Sequence, residues 1–401
     1  MAVFDFQIIL DSNVLYITLI IIGSTCYAAD TIKIGLMAPL SGEFGDIGEE
    51  VKKHIELASD EVNAAGGILG RKVEVILFDT QTKPTVASDG AKKLINQHNV
   101  SAIIGDLHPF TTKSIRDVIE GHNIINITYG AVELPNGNYK NFFRTSPRYE
   151  ESAQVTVDTI KNLEFKRIGI LYGAEKYIPE AERIKSMLNK EGRDVVYFNS
   201  FNDSLHFNSN IINELIQKNP DVVYLAGSAR EVAPFLKQKT RIPKSIKFIG
   251  GPNTKHSELI RLAGENVAEG FMSVALPEPE ELGSKVTKKF LNKYKSRYQR
   301  PAESIWGGYA ADAFKIVADA MEKTGSNDSE VLVNYLMNEL RDFDGVSGKI
   351  TFNKKGERTN DLYRAFSVNN GRNVMICSPG TKPCRLNPNR CCSIESSKRI
   401  E

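Results

Sequence analysis

The chain has 401 residues, 25% of them charged, with a formal net charge of +2. That length exceeds one ordinary domain and is compatible with two or three. A near-neutral balance without a basic stripe or an acidic tail excludes nucleic acid as a partner and gives no reason to expect a strongly charged one.

The N-terminus differs from the rest. Val14 to Ile22 is a near-continuous apolar run, followed by the small-residue stretch Gly23-Ser24-Thr25-Cys26-Tyr27-Ala28-Ala29. This order predicts a secretory signal over residues 1–29, cleaved near Ala28 or Ala29, and hence a periplasmic or other extracytoplasmic location. The run is short for a membrane span, which needs about 20 residues. Met1 to Asn13 holds no Lys or Arg, so a membrane anchor stays open beside cleavage.

From Ile32 onward, strands and helices alternate. Ile32 to Ala38 reads as a short buried strand. A helix is expected from near Glu49, because Val51, Ile55, Ala58, Val62 and Ala65 recur on one face, and Gly66-Gly67 ends it. Lys72 to Phe78 is the second strand. A helix after Pro84, a strand at Val100–Ile104, a helix at Thr111–Glu120 and a strand at Ile124–Thr128 follow. The same grammar restarts with strands at Arg167–Tyr172, Asp194–Phe198, Asp221–Leu225 and Lys247–Ile249. Helices at Glu180–Lys190, Ile211–Lys218 and Glu231–Lys239 separate them. Glu269 to Val274 is a further strand. Helices at Lys285–Tyr298, Ile305–Lys323 and Ser329–Leu340 and a last strand near Ala365–Val368 complete the pattern. Such alternation predicts α/β folding with parallel sheets covered on both faces.

No G-x-S-x-G elbow, H-E-x-x-H pair or P-loop appears, and the six histidines are scattered. No catalytic residue, cofactor or metal site is expected, and so no enzyme. Cys377, Cys384, Cys391 and Cys392 fall in a Pro-rich tail, residues 377–401. An even count there suggests disulfides in an oxidising compartment, with three pairings open. Metal is the weaker reading, because no C-x-x-C spacing or accompanying His is present.

Several stretches together carry a resemblance. They are Ala38-Pro39-Leu40-Ser41-Gly42, the run Ala58 to Lys72 with Asp60-Glu61, Asn63-Ala64 and Gly66-Gly67, Phe143-Arg144-Thr145, Glu269-Gly270, and Phe343 to Glu357. The chain resembles the type 1 periplasmic solute-binding proteins of ABC transporters, in their branched-chain (hydrophobic) amino-acid group. The likeness runs from about Thr31 to Met375. It implies two doubly wound parallel-sheet lobes joined by a three-strand hinge. Residues 30–143 and 275–352 would form lobe I, and residues 144–274 and 353–376 lobe II. It also implies a monomer that closes on a small ligand and presents it to an ABC transporter permease. The same fold also serves as a sensing module for a chemoreceptor or kinase, or as a cytoplasmic amide-sensing regulator, and these are the alternative readings.

Ligands of open α/β sheets bind at the carboxyl ends of strands. The candidate ligand-binding residues there are Ser41, Phe44, Ile47, His108, Pro109, Phe110, Thr111, Tyr129, Gly130, Ala131, Val132, Tyr177, Ser228, Arg230 and Asn253, with Trp306 beside them. An amino acid needs donors for its carboxylate, an acid or carbonyl for its ammonium and an apolar wall for its side chain. Set against the family, Tyr177 matches a tyrosine of the site. Pro109 and Val132 replace hydroxyl residues, Ser228 falls near a second tyrosine, and Pro252 or Asn253 stands where a glutamate would hold the ammonium. The neutral residues at the ammonium position argue against an ordinary α-amino acid, and Arg230 predicts extra negative charge on the ligand. The aromatic residues suit an amino acid or a related carboxylate, aromatic ones included.

Overall fold

The computed structural model describes residues 9–11, 14–16, 31–130, 140–148, 150–201, 209–255, 257–282, 284–359 and 362–377. Within the expected signal this covers one antiparallel pair, β1 (Ile9–Asp11) with β2 (Val14–Tyr16). Most of that expected segment, and the tail with Cys384, Cys391 and Cys392, lie outside the described residues.

Lobe I follows with β3 (Ile32–Ala38), α1 (Gly45–Ala64), β4 (Val73–Asp79), α2 (Pro84–Asn96), β5 (Ala102–Ile104), α3 (Pro109–Ile119), β6 (Ile125–Thr128) and β7 (Phe142–Arg144). The five strands are parallel in the order β4-β3-β5-β6-β7. Because side chains alternate across a strand, Leu36 and Ile104 join Val51, Ile55 and Ala58 of α1 on one face. Met37 and Ile103 join Ala87, Leu94 and Ile115 on the other. Burial on both faces is why these strands read as continuous apolar runs. α1 starts four residues before the expected Glu49. Gly48 allows this, since a Cβ there would run into the Pro39 carbonyl, and a turn with two glycines hides a helix start from any propensity reading.

Lobe II contains α4 (Glu151–Asn162), β8 (Arg167–Tyr172), α5 (Ile178–Lys190), β9 (Asp194–Ser200), α6 (Ser209–Lys218), β10 (Val222–Ala226), α7 (Ala229–Leu236), β11 (Lys247–Gly250), α8 (Ser257–Ala263), α9 (Glu265–Ala268) and β12 (Met272–Ala275). α7 begins two residues before the expected Glu231 and stops at Leu236 before a tighter turn over Lys237–Arg241, with Pro234 inside it. The chain then returns to pack α10 (Lys285–Tyr298), α11 (Ile305–Thr324) and α12 (Ser329–Asn338) on the lobe I core. A short hairpin, β13 (Phe343–Gly345) with β14 (Gly348–Ile350), follows. Last come β15 (Arg364–Asn369) and β16 (Arg372–Cys377), antiparallel strands that extend the second sheet to β16-β15-β12-β11-β10-β8-β9.

The connections between the sheets are tied together by buried polar groups. Arg358 donates to the Thr145 carbonyl at 2.9 Å, the Ser347 hydroxyl at 2.8 Å and the Lys349 carbonyl at 2.6 Å. Asp312 on α11 accepts from the Val346 and Ser347 amides at 2.5 and 2.8 Å. Thr145 donates to the Tyr309 carbonyl at 2.9 Å. Two crossings are thereby fastened to one helix, which gives the hinge a fixed base.

Candidate functional site

In lobe I, β3 and β5 are neighbours, but α1 and α3 leave them toward opposite faces. In lobe II the same holds for β8 and β10, followed by α5 and α7. Each divergence opens a crevice at the strand ends, and ligands of doubly wound sheets sit there.

The lobe I crevice is built on two anchored loops. Asp79 accepts from the Leu40 amide at 2.9 Å and the Ser41 hydroxyl at 2.5 Å. Burial works to raise the Asp79 carboxyl, but the Ser41 hydroxyl and nearby amides hold it below its ordinary range. Ser41 is thus a loop anchor, and half-buried Ile47 packs on the lobe I core. Phe44 meets His108 edge-on with ring centroids 4.3 Å apart, and His108 stacks on Phe110 at 5.5 Å with ring planes 2° apart. Phe110 is 47% exposed. Burial lowers the affinity of His108 for a proton, against the pull of Asp106 and Glu43. A neutral imidazole completes an apolar, aromatic wall.

Beneath the wall lies Asp106, fully buried. It accepts from the Leu107 amide at 2.6 Å, the Thr80 hydroxyl at 2.9 Å and the Tyr129 hydroxyl at 3.5 Å. Burial pushes its carboxyl up. Tyr129 is itself buried, and its hydroxyl also donates to the Met37 carbonyl at 3.2 Å. It supports the loop from below, whereas the sequence placed it on the cleft wall. Gly130 lies against the Leu107 carbonyl with no room for a Cβ. Its own carbonyl accepts from Ser146 at 2.7 Å. Ala131 and Val132 lie outside the described residues.

α3 begins at Pro109 without a side-chain cap. Its first internal bond runs from the Thr112 amide to the His108 carbonyl at 2.9 Å, and buried Thr111 turns its hydroxyl to the same carbonyl at 3.1 Å. The Phe110 and Thr111 amides have no partner among the described residues. Proline at this position removes only an N–H that a helix start leaves unpaired anyway. The expected loss of a donor at Pro109 therefore matters little, because the next two amides remain.

The lobe II crevice is closed by its own acid. Ser228 and Glu231 form a capping box on α7: the Ser228 hydroxyl and amide both donate to Glu231, at 2.5 and 2.9 Å. Glu231 also accepts from the Ala174 amide at 3.3 Å, which joins the loops after β8 and β10. Tyr177 is nearly buried beside this pair, and burial, then Glu231, pushes its hydroxyl up to about 12. Glu180, in the first turn of α5, accepts from the Tyr224 hydroxyl. A Cβ at Gly251 would collide with the Glu180 carboxylate and lie 2.6 Å from that hydroxyl, so the end of β11 passes directly over it. Neither acid is among the candidates read from the sequence. The S-x-x-E spacing was the available signal for Glu231. For Glu180 no local signal exists.

Three other candidates are placed as follows. Arg230 has an 81% exposed side chain that pairs with Glu258 at 2.9 Å. Its charge is thereby answered on the surface by Glu258, so it does not require a negative charge on the ligand. Asn253 is exposed on the turn Pro252–Thr254. Trp306 is half-buried in the first turn of α11, 5.9 Å from the Tyr309 ring. Cys377 ends β16, and its side chain is not described. Among the described residues, no group of three or more His, Cys, Asp or Glu side chains is placed to hold a metal. No helix among them is long and apolar enough to cross a membrane.

Comparison with known proteins agrees with this architecture. The periplasmic binding protein family matches residues 31–373. The leucine-, isoleucine-, valine-, threonine- and alanine-binding protein of Pseudomonas aeruginosa is 27% identical over 353 residues, 86% of this chain and 92% of that one. The crystal structure of a leucine-binding protein from Thermotoga maritima has a TM-score of 0.67 at 25% identity, covering 86% of this chain and 97% of that one. That of a putative branched-chain amino acid ABC transporter protein from Silicibacter pomeroyi has a TM-score of 0.76 at 21% identity, covering 88% and 97%. With nearly all of its two-lobed body matched, the chain belongs to the periplasmic binding protein family.

Proposed function

We propose that this chain captures a small apolar α-amino acid, or a closely related carboxylate, between its lobes and delivers it to an ABC permease outside the cytoplasm. One observation carries the reading: the uncapped start of α3 stands beside the Phe44–His108–Phe110 wall. Two free amides and the helix dipole suit a carboxylate, and the rings suit an apolar side chain. Glu180, held by Tyr224, suits the ammonium from the opposite lobe. A ligand that touches both lobes favours the closed form by its differential affinity, and closure is what a permease reads. The amino acids named for the Pseudomonas relative support the same class.

Titration calorimetry with L-leucine, L-phenylalanine and benzoate tests this. Binding of the amino acids, with benzoate weaker, is the expected result. Binding of benzoate alone would remove Glu180 from the site and make the ligand a non-amino acid. Failure of all three would sink the capture of apolar acids.

A further inference from the structure

On lobe I, apart from the crevice at the strand ends, α1, α10 and α11 line an open pocket of about 350 Å³, formed by Glu61, Val286, Lys289, Phe290, Lys293 and Lys315. That volume falls within the range of about 300–1,000 Å³ that accommodates small-molecule ligands. α10 carries Lys285, Lys288, Lys289, Lys293, Lys295 and Arg297 and no acid. In a chain of 51 basic and 49 acidic residues this is a local concentration of positive charge.

The charges lining the pocket do not balance. Lys293 reaches one oxygen of Glu61 at 2.5 Å and Lys315 the other at 2.7 Å. Both carboxylate oxygens are thereby occupied. Burial works to raise the Glu61 carboxyl, and the two lysines hold it low. Lys289 has no carboxylate partner among the described residues. Three lysines and one glutamate line the pocket, an excess of two positive charges. Each ammonium has three donors, and Lys293 and Lys315 give Glu61 one apiece. The Lys315 side chain is only 20% exposed, so its charge is screened less than that of a surface lysine. Its ammonium lies 4.7 Å from the centre of the Phe290 ring, which with Val286 forms an apolar floor.

We propose that this pocket binds a dianion carried on a small apolar group, a phosphate monoester in kind, independently of the cleft ligand. A tetrahedral phosphate offers oxygens in several directions at once, matching ammoniums that approach from two helices, and its two charges cancel the excess. The apolar substituent rests on Phe290 and Val286. A soluble ester and a lipid headgroup share this chemistry.

The test is calorimetry of the full chain with phenyl phosphate, together with flotation on phosphatidylcholine vesicles with and without phosphatidate. One equivalent of phenyl phosphate is expected, weakened by salt and by at least about tenfold in Lys289→Glu. Lys289→Gln should lose less. Lys289 is exposed and bonded to nothing else among the described residues, so both variants should melt like the wild type and respond to L-leucine as it does. Phenyl phosphate binding without flotation assigns a soluble ester. Flotation that needs phosphatidate and is lost in Lys289→Glu assigns the lipid headgroup. Wild-type protein that does neither, or Lys289→Glu that binds like the wild type, overturns the site.

Discussion

The two lobes share the order of their five parallel strands and the switch point within it, yet they place their carboxylates in opposite ways. In lobe I the acid precedes the helix. Asp106 turns inward to Thr80, Leu107 and Tyr129 and also meets the Thr111 side chain of the first turn, while the N-cap residue His108 makes no side-chain cap. In lobe II the acid is within the helix. Glu231 folds back on Ser228 and Ala174, and the start of α7 is occupied. A helix start left open attracts an anion, and one filled by its own glutamate does not. On the proposed reading, lobe I would take the carboxylate of the ligand and lobe II, through Glu180, its ammonium.

The largest effect should come from the buried acid. Asp106→Ala strands the Leu107 amide and the Thr80 hydroxyl in the interior and should cost about 3 kcal/mol in urea unfolding. Its pH dependence separates the lobes further. Asp106 has a raised carboxyl, so its stability contribution is complete below the ordinary value of 3.8 and is lost as pH rises through the raised one. Burial works to raise Glu231 as well, but Ser228 and the Ala174 amide lower it, so its contribution is present above 4.5 and is lost as pH falls. Unfolding measured from acid to neutral pH should lose the falling limb in Asp106→Asn and the rising limb in Glu231→Gln.

Next in size is Glu180→Gln, which should weaken L-leucine binding by about 2 kcal/mol while leaving benzoate unaffected. Equal losses for both would assign Glu180 to the packing of Tyr224. Phe110→Ala should leave unfolding within about 0.5 kcal/mol of wild type, because the ring is half exposed, and reduce affinity for L-phenylalanine by about 1.5 kcal/mol. The smallest effect is expected from Ser228→Ala. Loss of the cap should cost about 1 kcal/mol of stability, with L-leucine affinity unchanged, because the hydroxyl is already bonded to Glu231. A large loss of affinity there would mean that lobe II also binds through its helix start.

Elements with a simple period were legible. β3, β8 and α10 run between the residues expected for them, because each is a buried apolar run or a well-patterned helix. α4 was not expected. Its buried face includes Thr156 and Thr159, whose hydroxyls turn back to the Ser152 and Val155 carbonyls at 2.8 and 2.7 Å, so its inward side does not read as apolar. β16 was missed too, being an edge strand joined to β15 by the left-handed pair Asn370-Gly371. At the site, Phe44, His108 and Phe110 were legible as strand-end residues, although their stacking was not.

By itself the sequence determined the α/β alternation, the extent of the family likeness and the loops at the strand ends. These follow from local periodicity and turn chemistry, which act over a few residues. Only the tertiary structure decided which carboxylates face those loops. Asp106 meets Thr80 across 26 positions, and Glu180 meets Tyr224 across 44. Those meetings depend on the order of strands within each sheet, and local periodicity carries no record of that order.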